Sequence, residues 1–290
     1  MTVVELGPNL LRRFYRGGPR IAEFRGLARA ADDTPEDWIG STTTAWGEDE
    51  LGLSRLPDGR VLRDVVHVNL LVKLLDAGER LAVHLHPDDA FARTHLGAPL
   101  GKTEGWIILD ADPGAFVAGG FARHVEAAEL SDWVARQDVE AMLAAMQRVD
   151  VRAGDTVFVP AGVPHAIGAG ILLLELQQPS DLSILLEGPD FLGLEPAVAL
   201  TAVTRTPPDL ARLRSGRVET LFPPEADAYF RAERVSDGAT IEGPAIVVAY
   251  DGTGAVDGIR VRRGSTLLVL GGEATLSGAC RAIVCRPPPA

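Results

Sequence analysis

The chain of 290 residues has only two lysines, Lys73 and Lys102, among its 28 lysines and arginines. Drift toward GC-rich codons explains the excess of arginine. A lysine that persists under that pressure is a candidate for chemistry that arginine cannot perform, because the compact ammonium group can lose its proton. Both lysines are therefore candidate functional residues.

Cysteine is equally scarce. Cys280 and Cys285 are the only two, and they lie close together in one apolar segment. Their odd spacing would place the side chains on opposite faces of a strand, where they cannot easily form a disulfide. Two cysteines alone also do not make a zinc cage. The pattern predicts a reduced, cytoplasmic protein.

Positive charge and long apolar runs are lacking as well. The formal net charge is −12 and the pI is near 5.0. This argues against a nucleic-acid partner, which needs a basic face. No apolar run reaches the length of a membrane span, and residues 1–14 do not resemble a signal peptide. With 46% hydrophobic residues, the chain is long enough for about two folded domains.

Short apolar segments separated by glycine and proline turns dominate the chain. This spacing predicts a mainly β protein built as a sandwich or barrel. The predicted strands are Leu81–His86, Trp106–Leu109, Thr156–Pro160, Ile171–Gln177, Ala245–Tyr250 and Ser265–Leu270. The predicted helices are Ala127–Ala135, a helix from an N-cap at Asp138 through Val149, and Glu195–Val203. The first two helices form an insertion near residues 125–149.

Two segments repeat each other along the chain. Residues 151–168 and 261–278 share seven identical positions, including Gly154 with Gly264 and Gly162 with Gly272. We interpret them as two copies of one β unit, residues 1–205 and 209–290, joined by the linker 206–208. His165 in the first copy corresponds to Thr275 in the second, so a metal site in the first would be lost in the second.

Three histidines form the group with the strongest chemical signal. His84 and His86 are two residues apart, so on a strand they share one face while their neighbours face apolar packing. His165 ends a second segment that begins at Gly154. The two segments resemble the paired cupin signatures, G-x5-H-x-H and G-x5-P-x-G-x2-H. Together they predict a metal site.

Further motifs resemble those of type I phosphomannose isomerases, especially the short bacterial form. They are Leu70–Ala77, the H-x-H-P-D-D run, the G-K-T-E-x-W run at 101–106, Pro35–Trp38, Pro164-His165 and Glu175–Asp181. The resemblance covers roughly residues 1–190. It implies a mainly β fold of two cupin jelly-roll units with a small helical insertion. Residues 1–205 would be the catalytic unit, and residues 209–290 a degenerate unit without metal.

The resemblance also implies a function and a ligand set. That family interconverts mannose 6-phosphate and fructose 6-phosphate with one zinc ion. The ligands carried over to this chain are His84, His86, Glu104 and His165. His84 departs from the pattern, because the family has a glutamine there. Three histidines and a glutamate suit zinc, but they also suit iron, manganese or nickel.

The implied reaction moves a proton between two sugar carbons through an enediol. It needs a metal to polarise the sugar oxygens, a base, and a positive group beside the developing oxyanion. Lys102 is expected to point into the cavity of Glu104, with a pKa that the metal lowers. Lys73 and Glu175 match active-site positions of the family. All three are predicted catalytic residues.

One position departs from the family in a way that bears on the substrate. The family has an arginine of the catalytic pocket four residues after the aspartate that matches Asp181, and this chain has Leu185 there. Glu187 adds negative charge nearby, which would repel a phosphate. Either other arginines supply the positive charge, or the substrate is not phosphorylated, or the site binds a sugar without turnover.

The other polar and aromatic candidates have simpler interpretations. Three histidines outside the signatures are expected to be structural: His67, His95 and His124. Asp88 and Asp89 are predicted to cap a helix that begins near Ala90, or to act as outer partners of the site histidines. Trp38 and Trp106 would either line a sugar pocket or lie in the core.

Four functions stay open at this point. They are a sugar-phosphate isomerase, an isomerase of an unphosphorylated or different sugar, an iron-dependent cupin oxygenase, and a non-catalytic sugar-sensing cupin. The motifs favour the first. The expected partner is a small sugar or sugar phosphate, with neither nucleic acid nor a membrane involved. Jelly-roll units often dimerise, so a homodimer stays open.

Overall fold

The computed structural model describes residues 3–28, 31–209 and 220–289. Within these ranges all strand pairings are antiparallel. The strands are β1 Val3–Glu5, β2 Leu10–Leu11, β3 Glu36–Ile39, β4 Leu71–Ala77, β5 His84–Leu85, β6 Glu104–Ala111, β7 Phe116–Phe121, β8 Met146–Asp150, β9 Thr156–Val159, β10 His165–Ile167, β11 Ile171–Gln177, β12 Ile184–Leu185, β13 Arg231–Val235, β14 Thr240–Glu242, β15 Ala245–Val256, β16 Ile259–Arg262, β17 Thr266–Val269, β18 Glu273–Ser277 and β19 Cys280–Arg286.

Helices are few and short. They are α1 Arg20–Arg25, α2 Asp89–Phe91, α3 Ala127–Arg136, α4 Val139–Ala145 and α5 Pro196–Ala199. Short 3-10 turns occur at Leu62–Asp64, Leu200–Ala202 and Pro224–Ala228, and a π-helical turn at Ala92–Leu96. Among the described residues, none of the helices is both long enough and apolar enough to cross a bilayer.

The strands form three sheets that stack in layers. The site sheet has the order β12-β5-β10-β7-β8, and the central sheet has the order β2-β3-β4-β11-β6-β9. The C-terminal sheet contains β1 and the strands from β13 to β19. The site and central sheets face each other as one jelly roll. The mainly β cupin-type fold expected from the sequence is confirmed.

The central sheet is buried on both faces, which explains the unbroken apolar runs of β4 and β11. Because side chains alternate along a strand, Leu74 and Leu174 pack toward Ile246 of the C-terminal sheet. Leu75 and Leu173 point the other way, into the jelly-roll interior. Lys73 and Glu175 share this second face, where the register places them opposite each other.

The helical insertion packs on the outer face of the site sheet. Trp133 of α3 and Met142 of α4 join Leu85 and Ala166 in one apolar cluster. The predicted N-cap at Asp138 is confirmed, since its carboxylate accepts a hydrogen bond from the Ala141 amide at 3.0 Å.

The second insertion helix ends earlier than the sequence predicts. It stops at Ala145, and Met146 and Val149 lie in β8, paired with β7. The ladder of β7 is irregular between Ala118 and Phe121. Buried side chains of β8 therefore recur after three residues, a spacing that imitates a helix.

Two other predicted elements are shorter in the structure. Of the predicted strand Leu81–His86, only β5 forms, because β10 and β12 pair with it only at His84 and Leu85. The predicted helix Glu195–Val203 is reduced to α5 followed by a 3-10 turn.

Both copies of the repeat form a strand, a glycine turn and a second strand. Gly154 and Gly264 have φ of 94° and 87°, and Gly162 and Gly272 have φ of 84° and 69°, a region that favours glycine. β1 pairs with β17, so the N-terminal strand lies in the C-terminal sheet. The division into residues 1–205 and 209–290 stays a prediction, and residues 210–219 and 290 of the second unit lie outside the described ranges.

The two cysteines lie on one strand and do not pair. Both are buried on β19 and free. Cys280 packs in the core of the C-terminal unit with Val247, whereas Cys285 packs in the core shared with the central sheet. Their side chains therefore face opposite ways, as the odd spacing predicts.

Candidate metal centre

The three signature histidines converge at one end of the jelly-roll interior. His84 and His165 are directly paired across β5 and β10, and their ring centroids are 4.1 Å apart. The His86 ring lies 4.9 Å from that of His165. Ligand atoms of all three fall within 4.8 Å of one another, so together they could hold a metal ion. The structure thus brings together the three histidines that the sequence predicts as ligands.

Backbone carbonyls orient the three rings. His84 Nδ1 lies 2.7 Å from Ala82 O, His86 Nδ1 2.8 Å from Leu182 O, and His165 Nδ1 2.9 Å from Val163 O. A carbonyl can only accept, so each Nδ1 carries the hydrogen and each Nε2 presents a lone pair to the cavity. A hydrogen bond from the other ring nitrogen to a backbone carbonyl is typical of imidazoles that bind a metal.

Glu104 is the fourth group of the cluster. Its Oε2 lies 3.0 Å from His86 Nε2, and its Oε1 lies 3.2 Å from His165 Nε2. Lone pairs of imidazole and carboxylate then face each other, and the buried His165 Nε2 has no hydrogen-bond partner among the described residues. A cation would satisfy all of these atoms, so the donor set fits a divalent metal.

The protonation of the cluster agrees with this fit. Burial, then repulsion from His165, lowers the pKa of His84 well below its usual range. Burial, then the charge of Lys102, lowers the pKa of His86 to about 3. Burial alone would raise the pKa of Glu104, but Lys102 and His86 outweigh it and lower that pKa. The imidazoles of His84 and His86 are therefore neutral and the carboxylate is ionised, as a metal requires.

Lys102 lies beside the cluster, as the sequence predicts. Its Nζ is 2.8 Å from Glu104 Oε2, 3.0 Å from His86 Nε2 and 3.5 Å from Glu175 Oε1. Burial would lower its pKa, but Glu104 and Glu175 outweigh burial and raise it. The protein groups therefore act against the lowering of this pKa that a bound metal would cause. Among the protein groups alone, Lys102 stays charged.

A buried network of charges continues from Lys102 along the floor of the pocket. Lys73 Nζ lies 3.7 Å from Glu175 Oε1, 3.5 Å from Glu36 Oε2 and 3.7 Å from Asp181 Oδ1. Arg13 contacts Glu36 at 3.2 Å and Asp181 at 3.1 Å. Four carboxylates thus face three cations, so the network has an excess of negative charge. A bound divalent metal would turn this into an excess of positive charge.

The network lines a pocket that is open on one side to solvent. Its polar lining is Arg13, Tyr15, Glu36, Lys73, His84, Lys102, Glu104, Glu175 and Ser183, and its apolar lining is Phe14, Leu75, Leu81, Ala82, Ile167 and Leu185. The many polar groups of the lining suit a small ligand with several hydroxyl groups. The predicted catalytic residues Lys102, Glu175 and Lys73 all line it, so the structure places them together.

Leu185 and Glu187 are the two positions at which the sequence is unfavourable for binding a phosphate. Leu185 pairs with His84 across β12 and β5, and its side chain lines the pocket. Glu187 is bound by Arg80, with contacts of 2.6 and 2.7 Å, and accepts the Val83 amide at 2.9 Å. The repulsion expected from Glu187 is therefore cancelled by a partner that sequence spacing did not indicate.

The remaining candidates take structural positions. Asp88 accepts from the Phe91 amide and caps α2, while Asp89 binds the Gly101 amide at 2.8 Å, so neither is an outer partner of a site histidine. Trp38 and Trp106 are fully buried and belong to the core. The histidines outside the signatures are exposed and lie away from the cluster: His67, His95 and His124.

Sequence reasoning missed part of the pocket. Glu36 belongs to a motif that was used only for the resemblance, and Asp181 to another, but neither was assigned a role. Arg13 and Tyr15 carried no signal, because one arginine among many and one tyrosine look ordinary. Only the tertiary contacts identify them.

The two facing sheets form a jelly roll, and three histidines and a glutamate lie together inside it. The chain has a cupin-type fold with a candidate metal centre.

Comparisons with known proteins narrow this class, although no family model matches the chain. It is 46% identical over 113 residues to a mannose-6-phosphate isomerase of Streptococcus mutans, across 39% of this chain and 34% of the relative. It is 33% identical over 183 residues to "Probable mannose-6-phosphate isomerase GmuF" of Bacillus subtilis, across 57% of this chain and 55% of the relative. The chain thus spans about a third to a half of the curated relatives that it matches.

Solved structures extend the likeness to the whole chain. The crystal structure of the mannose 6-phosphate isomerase from Bacillus subtilis has a TM-score of 0.79 at 24% identity, covering 99% of this chain and 100% of the other. An arginine-to-alanine variant of the phosphomannose isomerase from Salmonella typhimurium has a TM-score of 0.75 at 16% identity, covering 100% of both. The chain has the phosphomannose isomerase fold, and the resemblance seen in its motifs is confirmed.

Proposed function

We propose that the chain is a metal-dependent aldose–ketose isomerase that interconverts mannose 6-phosphate and fructose 6-phosphate through an enediol. The observation that carries the proposal is the convergence of His84, His86, His165 and Glu104 with Lys102 beside one pocket. The names of the curated relatives agree with this activity.

Metal identity belongs to the proposal as well. Zinc is the first choice, because neutral imidazoles and a carboxylate are donors that it prefers. Iron, manganese and nickel accept the same donors. His84, His86, His165 and Glu104 would hold the ion, which would supply a Lewis acid for the sugar oxygens.

The other pocket residues divide the remaining work. Lys102 Nζ, kept charged by Glu104 and Glu175, would stabilise negative charge on the sugar oxygen. Glu175 lines the pocket, and burial, then the nearby charge of Glu104, raises its pKa. We assign the transfer of the proton between the two sugar carbons to its carboxylate. Lys73 would hold Glu175 and Asp181 in place.

The test is a coupled isomerase assay with metal content measured on the same sample. The full chain should turn over mannose 6-phosphate with about one metal ion bound per chain. His165→Ala should lose both the metal and the turnover, because it removes a buried ligand. His124→Ala is the matched control, since His124 is exposed and lies away from the cluster, and it should change neither.

Other outcomes would favour the alternatives. No turnover of mannose 6-phosphate at full metal content would contradict the proposed substrate. Turnover of free mannose alone would favour an isomerase of unphosphorylated sugars. Bound iron with oxygen consumption would favour an oxygenase, and sugar binding without any turnover would favour a sensor.

Location and partners are proposals too. A cytoplasmic location agrees with two free, buried cysteines. The proposed partner is a small sugar phosphate, with neither nucleic acid nor a membrane involved. A homodimer stays open, and sedimentation of the full chain would decide it.

A further inference from the structure

The positions of the positive charges decide where the phosphate of a substrate can bind. Lys102 lies against the proposed ligand Glu104, at 2.8 Å, so its charge belongs to the metal end of the pocket. Lys73 is only 2% exposed and lies within 3.7 Å of three carboxylates, so it cannot reach outward. Neither lysine is free to bind a phosphate at the mouth.

Arg13 differs from both lysines. Its side chain is 18% exposed and lines both the inner pocket and the outer crevice beside Leu185 and Ser183. Asp181 accepts two parallel hydrogen bonds of 3.1 Å from its terminal nitrogens. These contacts leave further N–H groups on the same nitrogens, so Arg13 can donate to a ligand while it stays anchored.

Arg13 shares its two carboxylate anchors with a second cation. Lys73 contacts the same two carboxylates, Glu36 at 3.5 Å and Asp181 at 3.7 Å, and therefore shares their negative charge. The fixed orientation also lowers the entropy cost of binding, because the guanidinium is already held in place by Asp181 and Glu36.

We propose that Arg13 binds the phosphate of the sugar phosphate at the outer end of the pocket, in place of the arginine that Leu185 replaces. The inference rests on the proposed isomerase function and names the residue that sets its preference for phosphorylated sugars. Arg12 is a weaker candidate, because its side chain is 80% exposed and it pairs with Asp33 in solvent.

The test compares two competitors that differ only in the phosphate, mannitol 1-phosphate and mannitol. Binding to the metal-loaded full chain is measured by NMR titration, which does not depend on turnover. Arg13→Gln should lower the affinity for mannitol 1-phosphate by about tenfold or more and leave the affinity for mannitol unchanged. Arg13→Lys keeps the charge opposite Asp181 and Glu36, so it should fold normally and show a smaller loss of the same selectivity.

Arg12→Gln is the matched control, because it removes the same charge one residue away, and it should leave both affinities unchanged. An equal loss of affinity for mannitol 1-phosphate and for mannitol in the Arg13 variants would mean that Arg13 only supports the pocket. That result would overturn the proposal. A phosphate-selective loss in Arg12→Gln instead would also overturn it. Selective binding without any isomerisation by the wild-type chain would contradict the proposed function and leave the Arg13 assignment standing.

Discussion

At the scale of single residues, Glu36 joins the charges of the pocket into one network. One carboxylate oxygen accepts from the Tyr15 hydroxyl at 2.5 Å, and the other accepts from Trp38 Nε1 at 2.6 Å. Arg13 and Lys73 lie within 3.5 Å of it. Burial alone would raise the pKa of Glu36, but these two cations and the hydrogen bonds outweigh burial and lower it well below its usual range.

The lowered pKa of Glu36 predicts a dependence of stability on pH. A depressed folded-state pKa contributes stability above the unfolded-state pKa, about 4.3, and loses it as the pH falls below that value. Glu36→Gln should therefore be about 3 kcal/mol less stable than the wild type at pH 7. The difference should narrow as the pH falls below about 4, measured by urea unfolding across this range. Parallel stability curves for the two proteins would contradict the argument.

At the scale of elements, two ligand-bearing segments are braced against each other. The segment with His86 passes so close to Gly101 that Pro87 O would lie 2.3 Å from an added Cβ. The Lys102 amide donates to the same oxygen at 3.0 Å. Gln178 Nε2 also donates to Asp89 at 2.9 Å, which ties the residue after β11 to α2.

The close approach at Gly101 predicts an effect on metal binding. Gly101→Ala would push the His86 segment away from Lys102 and Glu104, because backbone atoms that block the Cβ cannot move separately. We expect metal affinity to fall by about tenfold or more, measured by chelator competition. Gly271→Ala is the matched control, since its Cβ would meet nothing within 4 Å. Equal metal affinity in the two variants would show that the close contact at Gly101 does not position the ligands.

Element boundaries show what local pattern can and cannot predict. The Asp138 cap and the start of α4 follow from side chains within one turn, so the sequence predicts them correctly. The end of α4 does not, because Met146 and Val149 keep helical spacing but pair with β7. Pairing with a strand 25 or more residues away cannot be predicted from local periodicity.

At the scale of the whole molecule, the central sheet links the two units. Its outer face shares one core with the C-terminal sheet, where Leu174 and Ile246 belong to the same cluster. β1 crosses from the start of the chain to pair with β17. We therefore expect the two units to unfold together rather than as separate domains.

Ile246→Ala tests this coupling. The side chain is fully buried in the shared core, so its truncation should cost about 2 to 5 kcal/mol. All four tryptophans lie before residue 205, so their fluorescence reports on the first unit alone. We expect the fluorescence transition to shift to lower temperature with the circular-dichroism transition. A fluorescence transition that stays in place while circular dichroism shifts would show that the units unfold independently.

The sequence by itself determined the β class, the repeat and the three histidines, because these depend on residue type and short spacing, and Glu104 followed from the resemblance of its motif. Lys73, Lys102 and Glu175 were also predicted as pocket residues, through the resemblance of their motifs. The tertiary structure alone decided that Arg13 and Glu36 join them, that Arg80 neutralises Glu187, and that carboxylates raise the pKa of Lys102. The physical reason is distance along the chain: Arg13 and Asp181 are 168 residues apart, and only the folded sheets bring their charges into contact.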